Sequence, residues 1–145
     1  MSETSGAPIF GVTRKIRFGH TDSAGIVYYP HYFDMFNGVV EDFFDECVGA
    51  SFQTMRTEFG VVTPLRNIEA DFIAPCRIGD MLNLRLSLVS IGRTSLRLVI
   101  DGDVNGDKRL RAKLAIVFVL ADKGLAVAPP PPILARLRDL IVKPA

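Results

Sequence analysis

The periodicity of apolar residues in this chain predicts an α+β fold: one antiparallel sheet and one long helix. Three observations carry that expectation. Between residues 67 and 120, four segments alternate apolar and polar side chains with a period of two, as strands with one buried face do. Between 31 and 48 the apolar residues recur instead at spacings of three and four, the mark of an amphipathic helix. Glycine, asparagine and proline fall between these segments, where chain reversals need them.

Residues 1–11 are small, polar and punctuated by Gly and Pro, and read as a loose leader. Val12 to Phe18 is the first expected strand, and 19–30, rich in Gly, Asp, Ser and Pro, is a loop. Pro30 suits a first helical turn, since it has no N–H to leave unpaired there. The helix then runs from His31 to about Val48, with Phe36, Val40, Phe43 and Cys47 on its apolar stripe and Phe33 and Phe44 widening it. Asp34, Glu41, Asp42, Asp45 and Glu46 cover much of the remainder, and Gly49 stops it. Gly38 inside this helix costs about 1 kcal/mol relative to alanine; close backbone approach and simple tolerance explain it equally well.

Ser51 is the cap of a second, short helix reaching about Phe59. The strands follow over 67–74, 82–89, 96–101 and 109–120, read as a four-stranded meander. Gly92-Arg93 and Asn105-Gly106 form the last two turns, and Asn-Gly is the dipeptide favoured in two-residue hairpins. Residues 129–145 are a proline-rich stop and a short amphipathic helix that docks on the body or on a partner. The whole of 1–145 is expected to be a single domain. Its sheet buries one face under the helix. The mixed Arg, Val and Ile positions of the other face point to partial burial in an oligomer.

Composition narrows the functional classes. Apolar residues make up 48% of the chain and charged residues 23%, which is ordinary globular usage. A formal net charge of +1 gives no global field for nucleic acid or a membrane surface. No apolar run approaches the roughly 20 residues that span a bilayer, and the first ten residues lack a signal peptide's pattern. Cys47 and Cys76 have neither CxxC spacing nor a nearby His, which disfavours both zinc and a disulfide framework. A cytoplasmic location is the expectation.

The chemistry concentrates in residues 17–33, RFGHTDSAGIVYYPHYF, which hold both histidines, all three tyrosines and Asp22. This segment joins a strand to the N-terminus of the main helix, where unpaired N–H groups and about half a positive charge accumulate. Such a terminus suits a carbonyl oxygen that becomes anionic during acyl transfer. A carboxylate beside it can attack the carbonyl carbon or deprotonate water.

The stretch FGHTDSAGIVYYPHYF resembles the signature of the 4-hydroxybenzoyl-CoA thioesterase family, F-G-x-x-D-x-A-G-I-V-[hydrophobic]-Y-P-x-Y. FIAPCRIGDML, residues 72–82, is similar to the F-x-x-P-x-x-x-G-D-x-L pattern of hotdog thioesterases. The resemblance spans about 12–122 in the same element order. It implies a hotdog fold, a curved antiparallel sheet wrapped around one long helix, and hydrolysis of an acyl-CoA, an aromatic one favoured, to acid and CoA. No metal or redox cofactor is implied, and coenzyme A belongs to the substrate. Assembly as a homodimer or homotetramer is implied, with ligand contacts drawn from two chains.

Residue by residue, the resemblance makes Asp22 the nucleophile or general base and the Tyr29 backbone N–H the donor to the thioester carbonyl. Gly25 is the position where backbone approaches substrate. Ser23 replaces a more familiar proline, and Asn37 stands where the aromatic-acyl enzyme has an aspartate, which leaves the acyl group open. His20 and His31 flank the motif and either orient substrate, tune Asp22 or are ordinary surface; Glu41 is better read as solvated. CoA phosphates favour arginine, and Arg93 at its turn is the leading candidate, ahead of Arg109, Arg111 and Lys113. Two other readings stand beside hydrolysis: a hydratase or dehydratase using His20 or His31, and a non-catalytic acyl-CoA binder.

Overall fold

The computed structural model describes residues 7–142, so positions 1–6 of the leader and 143–145 of the tail lie outside the described residues. The first strand, β1 (Phe10–Lys15), starts and stops earlier than expected. The Arg17 N–H is taken by His20 Nδ1 at 2.9 Å, and Phe18–His20 closes into a single 3-10 turn instead of continuing the strand. Phe18 is left 81% exposed.

Helix α1 (Pro30–Phe43) begins on Pro30 and continues as wider, π-type turns over Phe44–Val48, ending at Gly49 as expected. Its stripe of Tyr32, Met35, Phe36, Val39, Val40 and Phe43 is buried. Each such aromatic or aliphatic side chain contributes roughly 1.5–3 kcal/mol when fully removed from water. A Cβ on Gly38 would meet only the Arg14 guanidinium, at 3.9 Å, so this glycine reflects tolerance and not crowding. Arg14 itself reaches from β1 to Asp42 of α1 at 2.6 Å. The second helix, α2, is made of Phe52–Thr54 and π-type turns over Met55–Phe59, with the Ser51 hydroxyl capping the Thr54 N–H at 3.0 Å.

The remaining strands are β2 (Val61–Val62), β3 (Leu65–Phe72), β4 (Met81–Ile91), β5 (Ser95–Val104), β6 (Asp107–Val117) and β7 (Val119–Leu120). The main sheet has the order β1-β4-β5-β6-β3, entirely antiparallel, and β2 pairs separately with β7. This corrects the expected four-stranded meander. Only β4, β5 and β6 are sequential neighbours; β3 crosses to the far edge and pairs with β6, while β1 takes the place beside β4. The physical reason is the linker 73–80, which is too long for a hairpin and carries Pro75 and Gly79. Register shifts at Leu65/Asn67, Leu88/Ser90 and Gly102/Asp103 are bulges, which bend the sheet around α1.

The inner face is the alternating leucine set that the sequence displays: Leu82, Leu84, Leu86, Leu96, Leu98, Ile100, Leu110 and Ala112 are all buried. Gly102 sits in this layer because a Cβ there would come within 2.9 Å of Leu110 and 3.2 Å of Leu82. Asn105 and Gly106 both take positive φ, 52° and 85°, the backbone of a tight two-residue hairpin. On the outer face the register aligns Arg85, Asp101, Arg111 and Asp71 across four strands, with Lys113 opposite Glu69. Arg85 also pairs with Asp103. That charge ladder supplies the outer face with partners from within the chain. Helix α3 (Pro131–Val142) begins within the proline run and docks on the body through buried Ile133 and Leu137, with Arg136 Nε donating to the Cys47 carbonyl at 2.8 Å.

Candidate active site

The loop between β1 and α1 is tied by backbone bonds at three levels. Asp22 N–H donates to Ile26 O at 3.0 Å, Tyr28 N–H to His20 O at 2.9 Å, and Val27 N–H to Cys76 O at 2.9 Å. Thr21 bridges Val27, and Ile26 bridges Arg77. The loop is therefore a short hairpin lying on the linker that precedes β4. Gly25 takes φ +78°, a conformation costly for any side chain, and its N–H closes onto Asp22 O at 3.0 Å.

Asp22 is exposed at this hairpin. One carboxylate oxygen, Oδ1, accepts from the Ala24 N–H at 2.8 Å, which fixes the rotamer. The other oxygen accepts no hydrogen bond from the described residues and is available to substrate or water. Tyr29 caps α1, and its N–H donates to no group among the described residues, while its neighbours Tyr28 and His31 are engaged. Pro30 next to it has no N–H to compete. The hairpin thus presents one carboxylate oxygen and one uncommitted N–H at the positive end of a helix.

His20 and His31 come together, their rings edge to face with centroids 5.9 Å apart, and Tyr28 lies 6.0 Å from His31. Burial, then His31, then Arg17 hold His20 below the usual histidine pKa. Asn37 lies two turns along α1, on the order of 10 Å from the helix start. It lines a cavity of about 70 Å³ with Phe33, Phe36, Leu65, Ile68 and Leu114. This cavity lies between α1 and the β3–β6 side of the sheet, of which β3 is the outer strand.

Arg93 does not join them within one chain. Its turn follows the last residue of β4, whereas Asp22 rests on the linker before the first, and the 11 residues of β4 lie between. At strand rise that is on the order of 35 Å. Arg93 instead faces Arg138 of α3 across a groove of about 620 Å³. Arg111 and Lys113 lie on the outer charge ladder. Arg109, the extra residue of the Gly102/Asp103 bulge, is the one basic alternative near the site, beside Cys76 and Tyr32.

Two residues important to the geometry were not singled out from the sequence. The Tyr32 oxygen accepts the Cys76 N–H at 3.3 Å in a buried setting, and its ring stacks on Phe72 with centroids 4.9 Å apart. Burial pushes the Tyr32 phenol and the Cys76 thiol up from their ordinary pKa values. The signal that could have found them was the 72–82 motif, whose Phe72 and Cys76 both meet Tyr32.

Comparison with known proteins agrees with this architecture. Residues 16–137 match the model of the thioesterase-like superfamily. A 1,4-dihydroxy-2-naphthoyl-CoA hydrolase of Acaryochloris marina is 33% identical over 111 residues, covering 74% of this chain and 78% of the relative. A solved thioesterase-superfamily structure from Jannaschia sp. superposes with a TM-score of 0.86 at 19% identity, covering 96% of this chain and 97% of that one. A 1,4-dihydroxy-2-naphthoyl-CoA thioesterase structure from Synechocystis gives 0.81 at 22% identity, over 90% and 96%. The chain belongs to the thioesterase-like superfamily and has its hotdog fold, as the loop motif implied.

Proposed function

We propose that this protein is an acyl-CoA thioesterase that hydrolyses an aromatic acyl-CoA to the free acid and CoA. The observation that carries this is the uncommitted Tyr29 N–H at the N-terminus of α1, held in one hairpin with the free oxygen of Asp22. In the reaction, the thioester oxygen takes the Tyr29 N–H and the helix terminus as its oxyanion donors. In one route Asp22 attacks the carbonyl carbon, the tetrahedral adduct expels the CoA thiolate, and water then hydrolyses the acyl-aspartyl anhydride to free acid and carboxylate. In the other Asp22 takes a proton from the attacking water, the adduct collapses to the free acid with loss of the CoA thiolate, and that proton passes to the thiolate. Gly25 lets the backbone approach the thioester, and no metal or redox group has a step to perform.

The aromatic preference is supported by the apolar cavity beside Phe33 and Asn37 and by a relative that acts on a naphthoyl-CoA. Asn37 offers an amide to a polar ring substituent there. Because β3, which lines this cavity, is the outer strand of the sheet, a second copy pairing edge to edge would extend the wall of the cavity. An isologous antiparallel pairing also carries the Arg93 turn of that copy toward the Asp22 end, the arrangement in which Arg93 reaches CoA phosphates. The free thiols Cys47 and Cys76 fit a reducing, cytoplasmic compartment.

The test is thiol release from benzoyl-, hydroxybenzoyl-, hydroxynaphthoyl-, acetyl- and lauroyl-CoA by wild type and Asp22→Asn. Turnover of the aromatic thioesters that falls by about 10²-fold or more in the variant is expected. A protein that leaves the thioester intact while adding or removing water would be a hydratase. One that binds acyl-CoA without turnover would be a binder, and either result overturns the proposal.

A further inference from the structure

His20 occupies a junction that substrate contact does not explain. Its ring nitrogen Nδ1 accepts the Arg17 N–H at 2.9 Å, closing the turn that ends β1. Its carbonyl accepts the Tyr28 N–H at 2.9 Å, the bond that draws the helix entry back over the loop. Its ring meets His31, on the first turn of α1, edge to face. Asp22 and Tyr29 are therefore set at their spacing by contacts made on both sides of one residue. We propose that His20 is a positioning residue for the thioesterase site, clasping the Asp22 turn to the helix entry through a ring that must be neutral to do so.

The requirement for neutrality follows from hydrogen-bond chemistry. An imidazole accepts at Nδ1 only when that nitrogen has no proton. Protonation turns Nδ1 into a donor facing the Arg17 N–H donor, and the turn loses its closure. The surroundings of the ring oppose the charge as well: burial first, then His31 from the helix entry and Arg17 from its own turn, with no carboxylate among the described groups that act on it. The neutral form is thus favoured to a lower pH than in an ordinary histidine. The sign is fixed: the clasp is complete above the usual histidine range and fails as pH falls through the lowered value. Turnover should fall with it as pH drops below the usual histidine range.

This inference rests on the thioesterase reading, so one experiment measures activity and another does not. The first is the pH profile of kcat and KM for wild type, His20→Gln, His20→Leu and His31→Gln. Glutamine at this position retains a neutral acceptor for the capping N–H. His20→Gln should therefore keep wild-type turnover at alkaline pH to within about threefold and move the acid limb to lower pH, where only the Asp22 carboxylate requirement is left. His20→Leu should lose roughly tenfold or more in kcat at every pH. His31→Gln, by removing a neighbouring cation and some cover, should move the acid limb to higher pH. The second is amide hydrogen exchange of Arg17 and Tyr28 in the wild type without substrate, corrected for intrinsic pH dependence, in which protection should fall as the His20 ring protonates. An unchanged acid limb in His20→Gln, wild-type kcat in His20→Leu, or pH-independent protection overturns the clasp. Protection that responds as expected in a protein with no thioester turnover overturns the enzymatic reading and leaves the clasp standing.

Discussion

Removing one oxygen, by Tyr32→Phe, tests how the two sequence motifs are joined. The Tyr32 oxygen accepts the Cys76 N–H in the interior, and Cys76 O in turn receives the Val27 N–H of the Asp22 hairpin. Phenylalanine fills the same space and keeps the stack on Phe72, so no cavity beyond one atom opens. What is lost is the partner of a buried N–H, which costs about 1–3 kcal/mol. At 3.3 Å the bond is at the long end of its range, which selects the lower half, about 1–2 kcal/mol. For a chain of 145 residues that corresponds to a fall in Tm of about 2–8 °C, at roughly 2–4 °C per kcal/mol. Calorimetry of wild type and variant at equal protein concentration reads it, and kcat should fall more than KM rises because the linker under Asp22 loosens. A Tm within about 1 °C of wild type would refute the buried bond as a structural tie.

Two further outcomes follow from the helix and the open edge. Gly38→Ala should stabilise the protein by about 1 kcal/mol, since its Cβ meets only a guanidinium at ordinary contact distance; chemical denaturation measures this, and a destabilised variant would place an unseen neighbour there. Leu65→Lys sets a charge on the exposed end of β3 and should shift the assembly toward monomer with loss of turnover, as read by analytical ultracentrifugation. A monomeric wild type with full activity would remove the edge-to-edge dimer.

The sequence displays the parts of this fold more fully than their arrangement. Alternation along 82–89 and 109–117, the 3.6-residue stripe from Phe33 to Phe43 and the Asn105-Gly106 turn are local properties, and each stands where it was expected. Pairing partners are not local. The side chains of β3 would satisfy a neighbour on either side, and only the length of 73–80 hints that β3 lies beyond β6. Val61–Val62 and Val119–Leu120 are too short to show any period, so their pairing is invisible in the sequence, where alternation continues unbroken to Leu120. Arg93 reads as a turn residue, but a turn does not announce which end of the sheet it occupies. Asp22, Gly25 and Tyr29 share one short segment because few residues separate them. Cys76 reaches them only through tertiary structure.

The hairpin also explains why a motif of mixed residue types can specify one donor. Along its length the N–H groups of Asp22, Ala24, Gly25, Val27 and Tyr28 are all committed, to Ile26, the Asp22 side chain, the Asp22 carbonyl, Cys76 and His20 respectively. Past the helix start, His31 and Tyr32 donate to Tyr28 and Tyr29. Between these two runs stand Tyr29 and Pro30, and the proline has nothing to donate. At the helix entry itself, between Tyr28 and His31, the Tyr29 N–H donates to no group among the described residues, so its direction is set by backbone and not by the tyrosine side chain, which is 61% exposed. Side-chain identity at 29 is then free to vary with the acyl group, whereas proline at 30 and glycine at 25 are constrained by the backbone they permit. Exchanging Pro30 for alanine would add a second donor one residue along and spread the oxyanion contact over two sites.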